Sequence, residues 1–192
     1  MTLPARERLL EAACKLFYRN GVHATSVEDI QDEAMVARQS LYLHFQSKDG
    51  LVAEFLKLRD QRWLHSLQAF VDAQAQSPRQ SLLALFDFLQ SWFEEPGFHG
   101  CAFINISAEF SDPDHNFRLI AAQHKQRLAD YILTLCIAAR LPQPSTQTRY
   151  FALLMEGAIA TELVTPGSQA AIQARQLATM LLQAVSPTDR RT

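Results

Sequence analysis

The sequence has none of the short signatures that mark common enzyme and nucleotide-binding sites. The patterns HExxH, GxSxG, GxGxxG and the P-loop do not occur, and the histidines share no metal-ligand spacing. We therefore expect no catalytic residues, no metal and no cofactor. The alternative from another functional class is an all-α enzyme in which His99, His115 or His124 acts with Glu109 as acid, base or metal ligand.

Long apolar runs, a strong net charge and paired cysteines are lacking as well. The beginning of the chain has no apolar signal core and no later run approaches the length of a membrane span, so we expect a cytoplasmic protein. The formal net charge of −2 argues against a protein that is basic over its whole surface and coats DNA without sequence preference. Cys14, Cys101 and Cys136 are odd in number and follow no ligand spacing, which predicts reduced intracellular thiols. A thiol sensor centred on Cys101 is the alternative.

The stretch from Thr25 to Lys48 predicts two short helices joined by a tight turn, with a third helix starting behind them. Thr25 and Glu28 stand three residues apart, as in a capping box, so we expect a helix to begin at Ser26. Helices of about two turns are marginal in water without tertiary packing. The two helices must therefore share one small core.

The second of these helices presents an outward face that suits the major groove of DNA. At about 100° per residue, its inward side consists of Ala37, Leu41 and Phe45. The outward face carries no acid and consists of Arg38, Gln39, Tyr42 and Leu43. Arginine can form two hydrogen bonds with guanine, and glutamine can do so with adenine. Leucine can contact the methyl group of thymine. The alternative interpretation is an ordinary solvated helix face with one arginine.

Residues 5 to 56 resemble the DNA-binding domain of the tetracycline-repressor (TetR/AcrR) family of bacterial transcriptional regulators. The matching residues keep a fixed spacing and are Phe17, Asn20, Gly21, Thr25, Ser26, Val27, Glu28, Asp29, Ile30, Glu33, Ala34, Val36, Ser40, Leu41, Tyr42, His44, Phe45, Ser47, Lys48 and Leu51. The sequence departs from the family pattern at Gln31, where a small residue is usual, at Met35, where the turn usually has glycine, and at Gln39, which is often glycine.

The resemblance implies a recognition helix and an operator as the DNA partner. The predicted DNA-binding residues are Thr25, Ser26, Arg38, Gln39, Ser40, Tyr42, Leu43, His44 and Lys48. Tyr42 and Lys48 are implied as phosphate contacts, and Lys48 also opens the next helix, whose free N–H groups favour an anion. Gln39 adds a possible base reader at a position that is often glycine, so the operator sequence cannot be taken from relatives.

The rest of the sequence predicts further helices and almost no alternating β-type runs, so the fold class is all-α. We expect a helix-turn-helix domain at residues 1–46 and a helical effector-binding and dimerisation domain at residues 47–192, joined by a long fourth helix without a Gly/Pro linker. Further helix starts are predicted at Ser77-Pro78, Cys101, Asp112-Pro113 and Ser145, and residues 186–192 are expected to be frayed.

Aromatic residues concentrate in this second domain, which predicts an apolar pocket for a small-molecule effector. The candidate pocket residues are Trp63, Phe70, Trp92, Phe103, Asn105, Glu109, Phe110 and His124. Ordinary core packing is the alternative for each of them. The segment from Gly100 to Phe110 resembles the start of the ligand domain in some family members.

The last two predicted helices are apolar with many small residues, and the resemblance implies that two copies of this hairpin form a four-helix homodimer interface. The candidate interface residues are Phe151, Leu154, Ala158, Ile159, Leu163, Leu177 and Leu181. The predicted function is a ligand-responsive regulator, most simply a repressor that a largely apolar effector releases from a palindromic operator. The alternative is a helical small-molecule-binding protein that does not bind an operator.

Overall fold

The structure is a computed structural model that describes residues 3–185. Within this range the chain forms nine α-helices and no strands, which confirms the all-α prediction. The helices are α1 (Ala5–Asn20), α2 (Val27–Ala34), α3 (Gln39–Phe45), α4 (Lys48–Gln74), α5 (Pro78–Phe93), α6 (Ala102–Glu109), α7 (Asn116–Ala138), α8 (Pro144–Val164) and α9 (Ala170–Ala184). None of these described helices combines the length and apolarity needed to cross a membrane. The predicted frayed end, residues 186–192, lies outside the described residues.

The chain divides into two compact units, and the division falls within α4 and α7. The first unit contains the described residues up to Trp63 together with Cys101–His124, and the second contains Leu64–Gly100 and the described residues from Lys125 onwards. The boundary predicted between residues 46 and 47 falls inside the first unit, because α4 begins at Lys48 and contributes its first half to that unit. The assignment of DNA binding and effector binding to separate domains stays a prediction.

The core of the first unit is built where α1 packs against α2 and α3. Leu9, Ile30 and Leu41, one from each of these helices, are fully buried. Phe17 of α1 meets Phe55 of α4 with ring centroids 5.7 Å apart. This shared core supplies the packing that two-turn helices such as α2 and α3 need in order to persist.

The start of α2 differs from the predicted one by a single residue. Ser26 is the N-cap, and its partner in the capping box is Asp29, so the prediction of a Thr25–Glu28 box with a helix from Ser26 was wrong. The physical reason is that Thr25 is buried and its hydroxyl donates to the Gly21 carbonyl at 2.7 Å. The hydroxyl of Thr25 therefore cannot serve the first turn of the helix.

The turn between α2 and α3 is made without glycine. Met35 adopts the left-handed conformation with φ of 51° and ψ of 52°, a backbone region that residues with a side chain seldom occupy. Residues 36 and 37 have no regular secondary structure, Arg38 has helical backbone angles as the N-cap, and α3 begins at Gln39. Ala37, predicted on the inward side of the helix, is exposed because it precedes the helix. Leu41 and Phe45 are buried as predicted.

The second unit is a helical assembly in which α5, α8 and α9 pack against one another. The hydroxyl of Ser77 caps α5, and Pro78 occupies its first turn, as the sequence indicated. Phe86 of α5 and Phe151 of α8 meet in the core with ring centroids 6.3 Å apart. The aromatic residues of this part of the chain therefore supply much of its interior.

Candidate nucleic-acid interface

The recognition-helix candidate α3 carries one buried and one exposed side. Leu41 and Phe45 anchor it in the core of the first unit. The predicted DNA-contacting residues are exposed except for the half-buried Ser40, and they are Arg38, Gln39, Tyr42, Leu43 and His44. Leu43, a large apolar side chain, is 79% exposed. The structure thus brings the predicted readers together on one solvent-facing surface without an acidic residue of α3 among them.

Arg38, the arginine predicted to read guanine, is paired within the protein. Its Nη2 lies 3.3 Å from Oε1 of Glu28 on α2, and both side chains are largely exposed. An exposed pair of this kind contributes at most about 1 kcal/mol. The pair with Glu28 is therefore weak, and the guanidinium of Arg38 can exchange it for another partner.

Lys48, predicted as a phosphate contact, is the first residue of α4. Its Nζ donates to the backbone carbonyl of Val22 at 2.6 Å. The Ser47 hydroxyl accepts from the backbone N–H of Gly50 at 3.0 Å and caps the same helix end. The half-buried Lys48 is thereby held against the loop between α1 and α2.

The two remaining DNA-binding candidates differ in what their side chains can do. The side chain of Thr25 is buried and bonded to Gly21, so the prediction that it contacts DNA is corrected here. Ser26 is exposed at the N-terminus of α2, where its hydroxyl accepts from the backbone N–H of Asp29 at 3.0 Å. The Asp29 carboxylate accepts from the hydroxyl and the N–H of Ser26, and these bonds lower the pKa of Asp29.

Glu109, the last residue of α6, forms hydrogen bonds with the loop that joins α1 to α2. Its carboxylate oxygens accept from the backbone N–H groups of Val22 at 3.0 Å and His23 at 2.7 Å. The His23 ring lies beside the same carboxylate, with Nδ1 3.2 Å from Oε2, and stacks on Phe110 at a centroid distance of 4.7 Å. Lys48, the first residue of α4, donates to the carbonyl of Val22. Residues of α6 and of α4 therefore both form hydrogen bonds with this one short loop.

Three of the predicted effector residues form an aromatic cluster in the first unit. Phe103 stacks on His124 with centroids 3.8 Å apart, and Trp63 meets the same ring edge-on at 5.6 Å. Nδ1 of His124 lies 2.7 Å from Oδ1 of Asp60, and both groups are buried. A buried titratable pair is tolerated only when each partner satisfies the other, which this geometry achieves.

The other predicted effector residues are not gathered around one described cavity. Asn105 and Glu109 line a cavity of about 10 Å³, which holds roughly one water molecule. Phe110 packs on His23 and Phe117. The two remaining candidates lie in the second unit, where each meets another phenylalanine ring: Phe70 with Phe88 at 5.7 Å and Trp92 with Phe98 at 5.1 Å.

The second unit has two open cavities that the sequence did not predict. One of about 380 Å³ lies among the ends of α5 and α8 and is lined by Phe93, Phe98, His99, Glu162, Leu163 and Pro166, among others. The other, of about 420 Å³, lies between α7 and α8 and is lined by Lys125, Leu128, Arg149, Ala152, Leu153 and Glu156. Both volumes fall in the range of small-molecule sites. Within residues 3–185 no cluster of three or more histidine, cysteine or acidic residues is arranged to hold a metal ion.

The predicted dimer residues divide between the core of the second unit and its surface. Phe151, Ala158 and Ile159 are buried, because this side of α8 packs within the unit, and the prediction that they form an intermolecular surface is corrected here. Of the other four, Leu163 and Leu177 are exposed and Leu154 and Leu181 half-buried. The large apolar side chains that α8 and α9 expose are Tyr150, Leu153, Leu163, Val164, Ile172, Leu177 and Met180.

Comparison with known proteins agrees with this architecture. Residues 9–55 match the sequence profile of the bacterial regulatory proteins of the tetR family. SCO4454, a TetR-family transcriptional regulator of Streptomyces coelicolor, is 28% identical, with a TM-score of 0.88 over 95% of this chain and 96% of that one. The protein sav143 of Streptomyces avermitilis, assigned to the TetR transcriptional regulators, is 30% identical, with a TM-score of 0.82 over 95% of this chain and 98% of that one. The chain belongs to the TetR family.

A third similarity is confined to part of this TetR-family protein. The transcriptional repressor KstR2 of Mycolicibacterium smegmatis is 40% identical over 82 residues, which cover 42% of this chain and 39% of that one. Membership of the family confirms the prediction of a transcriptional regulator rather than an enzyme.

Sequence reasoning missed several residues that shape this TetR-family interface. Arg8 and Gln31 donate to carbonyl groups in and beside the turn, and Glu28 pairs with Arg38. The only signal in the sequence was the departure of Gln31 from the small residue usual in the family. Contacts between residues 7 to 27 positions apart cannot be read from local periodicity.

Proposed function

We propose that this TetR-family regulator binds a palindromic operator as a homodimer and represses transcription until a small, largely apolar effector releases it. The observation that supports DNA reading best is the exposed face of α3. Arg38, Gln39, Tyr42 and Leu43 project from a helix that two buried residues fix in the first unit. A helix held in this way can enter the major groove, where guanidinium, amide and aliphatic groups discriminate base pairs.

The charge distribution supports specific rather than general attraction to DNA. The net charge is −2, and the acidic residues of α2 offset the charge of the few basic residues near α3. Counterion release from a small number of phosphate contacts gives a shallow dependence of affinity on salt. We therefore expect weak binding to arbitrary duplexes and tighter binding to one preferred sequence.

The exposed apolar side chains of α8 and α9 support assembly into a dimer. Tyr150, Leu153 and Val164 fall on one side of α8, and Leu177 and Met180 lie on α9. An apolar surface of this kind is costly to leave in water and is typical of an interface. Two copies joined here would present two recognition helices to half-sites about 34–36 Å apart or at a related spacing.

Repression is proposed because part of the chain resembles a protein named as a repressor, KstR2. A dimer seated on an operator can exclude other proteins from the same DNA. The proposed DNA partner also supports a cytoplasmic location for the protein.

Release by an effector is supported by the position of α6. This helix contains the predicted effector residues Phe103 and Asn105, and its last residue, Glu109, bonds the loop that Lys48 also contacts. A ligand that displaces α6 would disturb the loop and the start of α4 together. The effect cannot exceed the difference in affinity of the ligand for the two shapes, commonly about 1–3 kcal/mol.

The experiment that tests the proposal is binding to the DNA upstream of the gene, followed by titration of effectors. A mobility shift that persists over excess arbitrary duplex, with one protected palindrome, is the expected result. Calorimetry with and without this operator then measures reciprocity, since DNA must weaken the binding of a releasing effector. Absence of any preferred duplex, together with tight binding of a small molecule, would favour the alternative of a binding protein without an operator.

A further inference from the structure

The turn between α2 and α3 carries two residues that depart from the family pattern, Gln31 and Met35. The backbone N–H of Met35 donates to the Asp32 carbonyl at 3.2 Å, and that of Val36 donates to the Gln31 carbonyl at 3.1 Å. These bonds close the C-terminus of α2 around a left-handed residue that is not glycine. A left-handed conformation at Met35 is unfavourable by itself, so neighbouring contacts must hold it.

The side chain of Gln31 spans the turn from the inside. Gln31 is buried with 6% of its surface exposed, and its Nε2 donates to the carbonyl of Arg38 at 2.8 Å. Arg38 is the N-cap residue of α3 and makes no capping hydrogen bond with its own side chain. The carboxamide of Gln31 therefore ties the last turn of α2 to the residue at which the recognition helix begins.

A second side chain holds the turn from α1. Nη1 of Arg8 donates to the carbonyls of Ala34 and Met35, each at 2.9 Å. Charged donors make stronger hydrogen bonds than neutral ones, and the last carbonyls of a helix lack partners within the helix. Arg8 thus fixes the end of α2 and the left-handed residue, while Gln31 fixes the beginning of α3.

We infer that Gln31 is a positioning residue for base reading, which sets the placement of α3 in the groove through its bond to the Arg38 carbonyl. The inference deepens the proposed function and rests on it. The residue does not face DNA, since its side chain is buried and its donor group faces the turn. Gln31 acts through Arg38 and Gln39, because its hydrogen bond fixes the backbone from which these two side chains extend.

A physical consequence separates this role from ordinary stabilisation. Bidentate contacts from arginine and glutamine to bases tolerate little displacement, whereas phosphate contacts tolerate more. Loosening the start of α3 should therefore reduce discrimination between base pairs more than it reduces affinity for arbitrary DNA. A residue that only stabilised the fold would lower both affinities in proportion to the folded fraction.

The test compares full-length wild type with Gln31→Met and Gln31→Leu in selection from a library of duplexes with a random central segment. Methionine keeps the length of the side chain without a donor, and leucine is a second apolar side chain without a donor that suits a buried position. Gln61→Met is the matched control, because Gln61 is an exposed glutamine of α4. A thermal transition monitored by circular dichroism establishes that each variant is folded, and Gln31→Leu serves if Gln31→Met does not fold.

We expect both Gln31 variants to lose about three- to tenfold in preference at one or more base pairs of each half-site, with a smaller change on arbitrary duplex. Gln61→Met should keep the wild-type preferences. Folded Gln31 variants that keep the wild-type preferences, or that lose affinity equally on all duplexes, would overturn the inference while leaving the proposed function intact. A wild-type protein that enriches no sequence would overturn the proposed function and this inference with it.

Discussion

The carboxylate of Glu109 accepts a hydrogen bond from the backbone N–H of His23 at 2.7 Å, although the two residues are separated by 86 positions. The same carboxylate accepts from Val22, the residue whose carbonyl bonds Lys48. This arrangement joins the end of α6 to the start of α4 through a loop of the helix-turn-helix. It gives the regulator a contact through which a change in α6 can reach Lys48, a predicted DNA-binding residue.

The first prediction concerns this contact. Glu109→Gln should release the loop, because an amide has a single oxygen to accept and no charge to strengthen either bond. We expect a loss of about 1–2 kcal/mol in the free energy of unfolding. Faster hydrogen exchange should be confined to the amides of Val22 and His23. Glu95→Gln, an exposed substitution in the second unit, is the control, and equal exchange rates in Glu109→Gln and wild type would show that the contact is not made in solution.

Gly21 provides an independent probe of the same loop. Its φ is 86°, and a Cβ atom placed there would lie 2.9 Å from Oε1 of Glu109. Gly21→Ala should therefore destabilise the protein by about 1–3 kcal/mol through backbone strain and crowding. Denaturant unfolding measures the change. Because the added methyl group meets the end of a flexible side chain, Gly21→Ala should cost less in a Glu109→Ala background than in wild type, and the difference is the crowding part of the loss. A Gly21→Ala change that costs nothing in the Glu109→Ala background would argue against backbone strain.

Base reading is tested at Arg38, Gln39 and Lys48. Substitution of Arg38 or Gln39 by alanine should cost about 1–3 kcal/mol on the preferred duplex and relax preference at particular base pairs. Lys48→Ala should weaken binding to all duplexes and reduce the slope of log affinity against log salt by about 1. Equal losses on every sequence for all three variants would contradict the assignment.

The ion pair between Glu28 and Arg38 predicts a gain of affinity. Glu28→Gln removes the competitor for the arginine and should tighten DNA binding about two- to fivefold. Glu33→Gln is the matched control, since Glu33 lies on the same helix and pairs with Lys15 at 2.6 Å. Binding isotherms at two salt concentrations measure both. The same gain for Glu28→Gln and Glu33→Gln would mean that general repulsion, not competition for Arg38, limits affinity.

The dimer surface predicts opposite outcomes for two residues of α8. Leu153 is 72% exposed, so Leu153→Asp should give a folded monomer with greatly reduced operator affinity. Ile159 is 2% exposed, so Ile159→Asp should unfold the second unit, since an unpaired charge is not tolerated in a core. Sedimentation and circular dichroism distinguish the two. Leu119→Asp, exposed on α7, is the control and should remain dimeric, and a dimeric Leu153→Asp would place the interface elsewhere.

The family and the all-α class followed from the sequence because their determinants are local. Helix periodicity, the proline and serine at helix starts and the fixed spacing from Phe17 to Leu51 all involve residues close together in the chain. The exposed face of α3 was predicted for the same reason. The exact cap of α2 was not, since Thr25, Ser26, Glu28 and Asp29 offer two capping boxes one residue apart, and the bond from Thr25 to Gly21 decides between them.

The sequence by itself indicated which helices form. The four-residue spacing of Leu41 and Phe45 also indicated which face of α3 points outward, since residues at this spacing share one side of a helix. Only the tertiary structure decided which of two apolar faces of α8 lies in the core, because apolar spacing is the same for a core and an interface. It alone also showed that Glu109 bonds the loop at His23 and that Gln31 reaches the carbonyl of Arg38. These contacts depend on how distant segments pack, and a buried polar group takes whatever partner that packing places within hydrogen-bond distance.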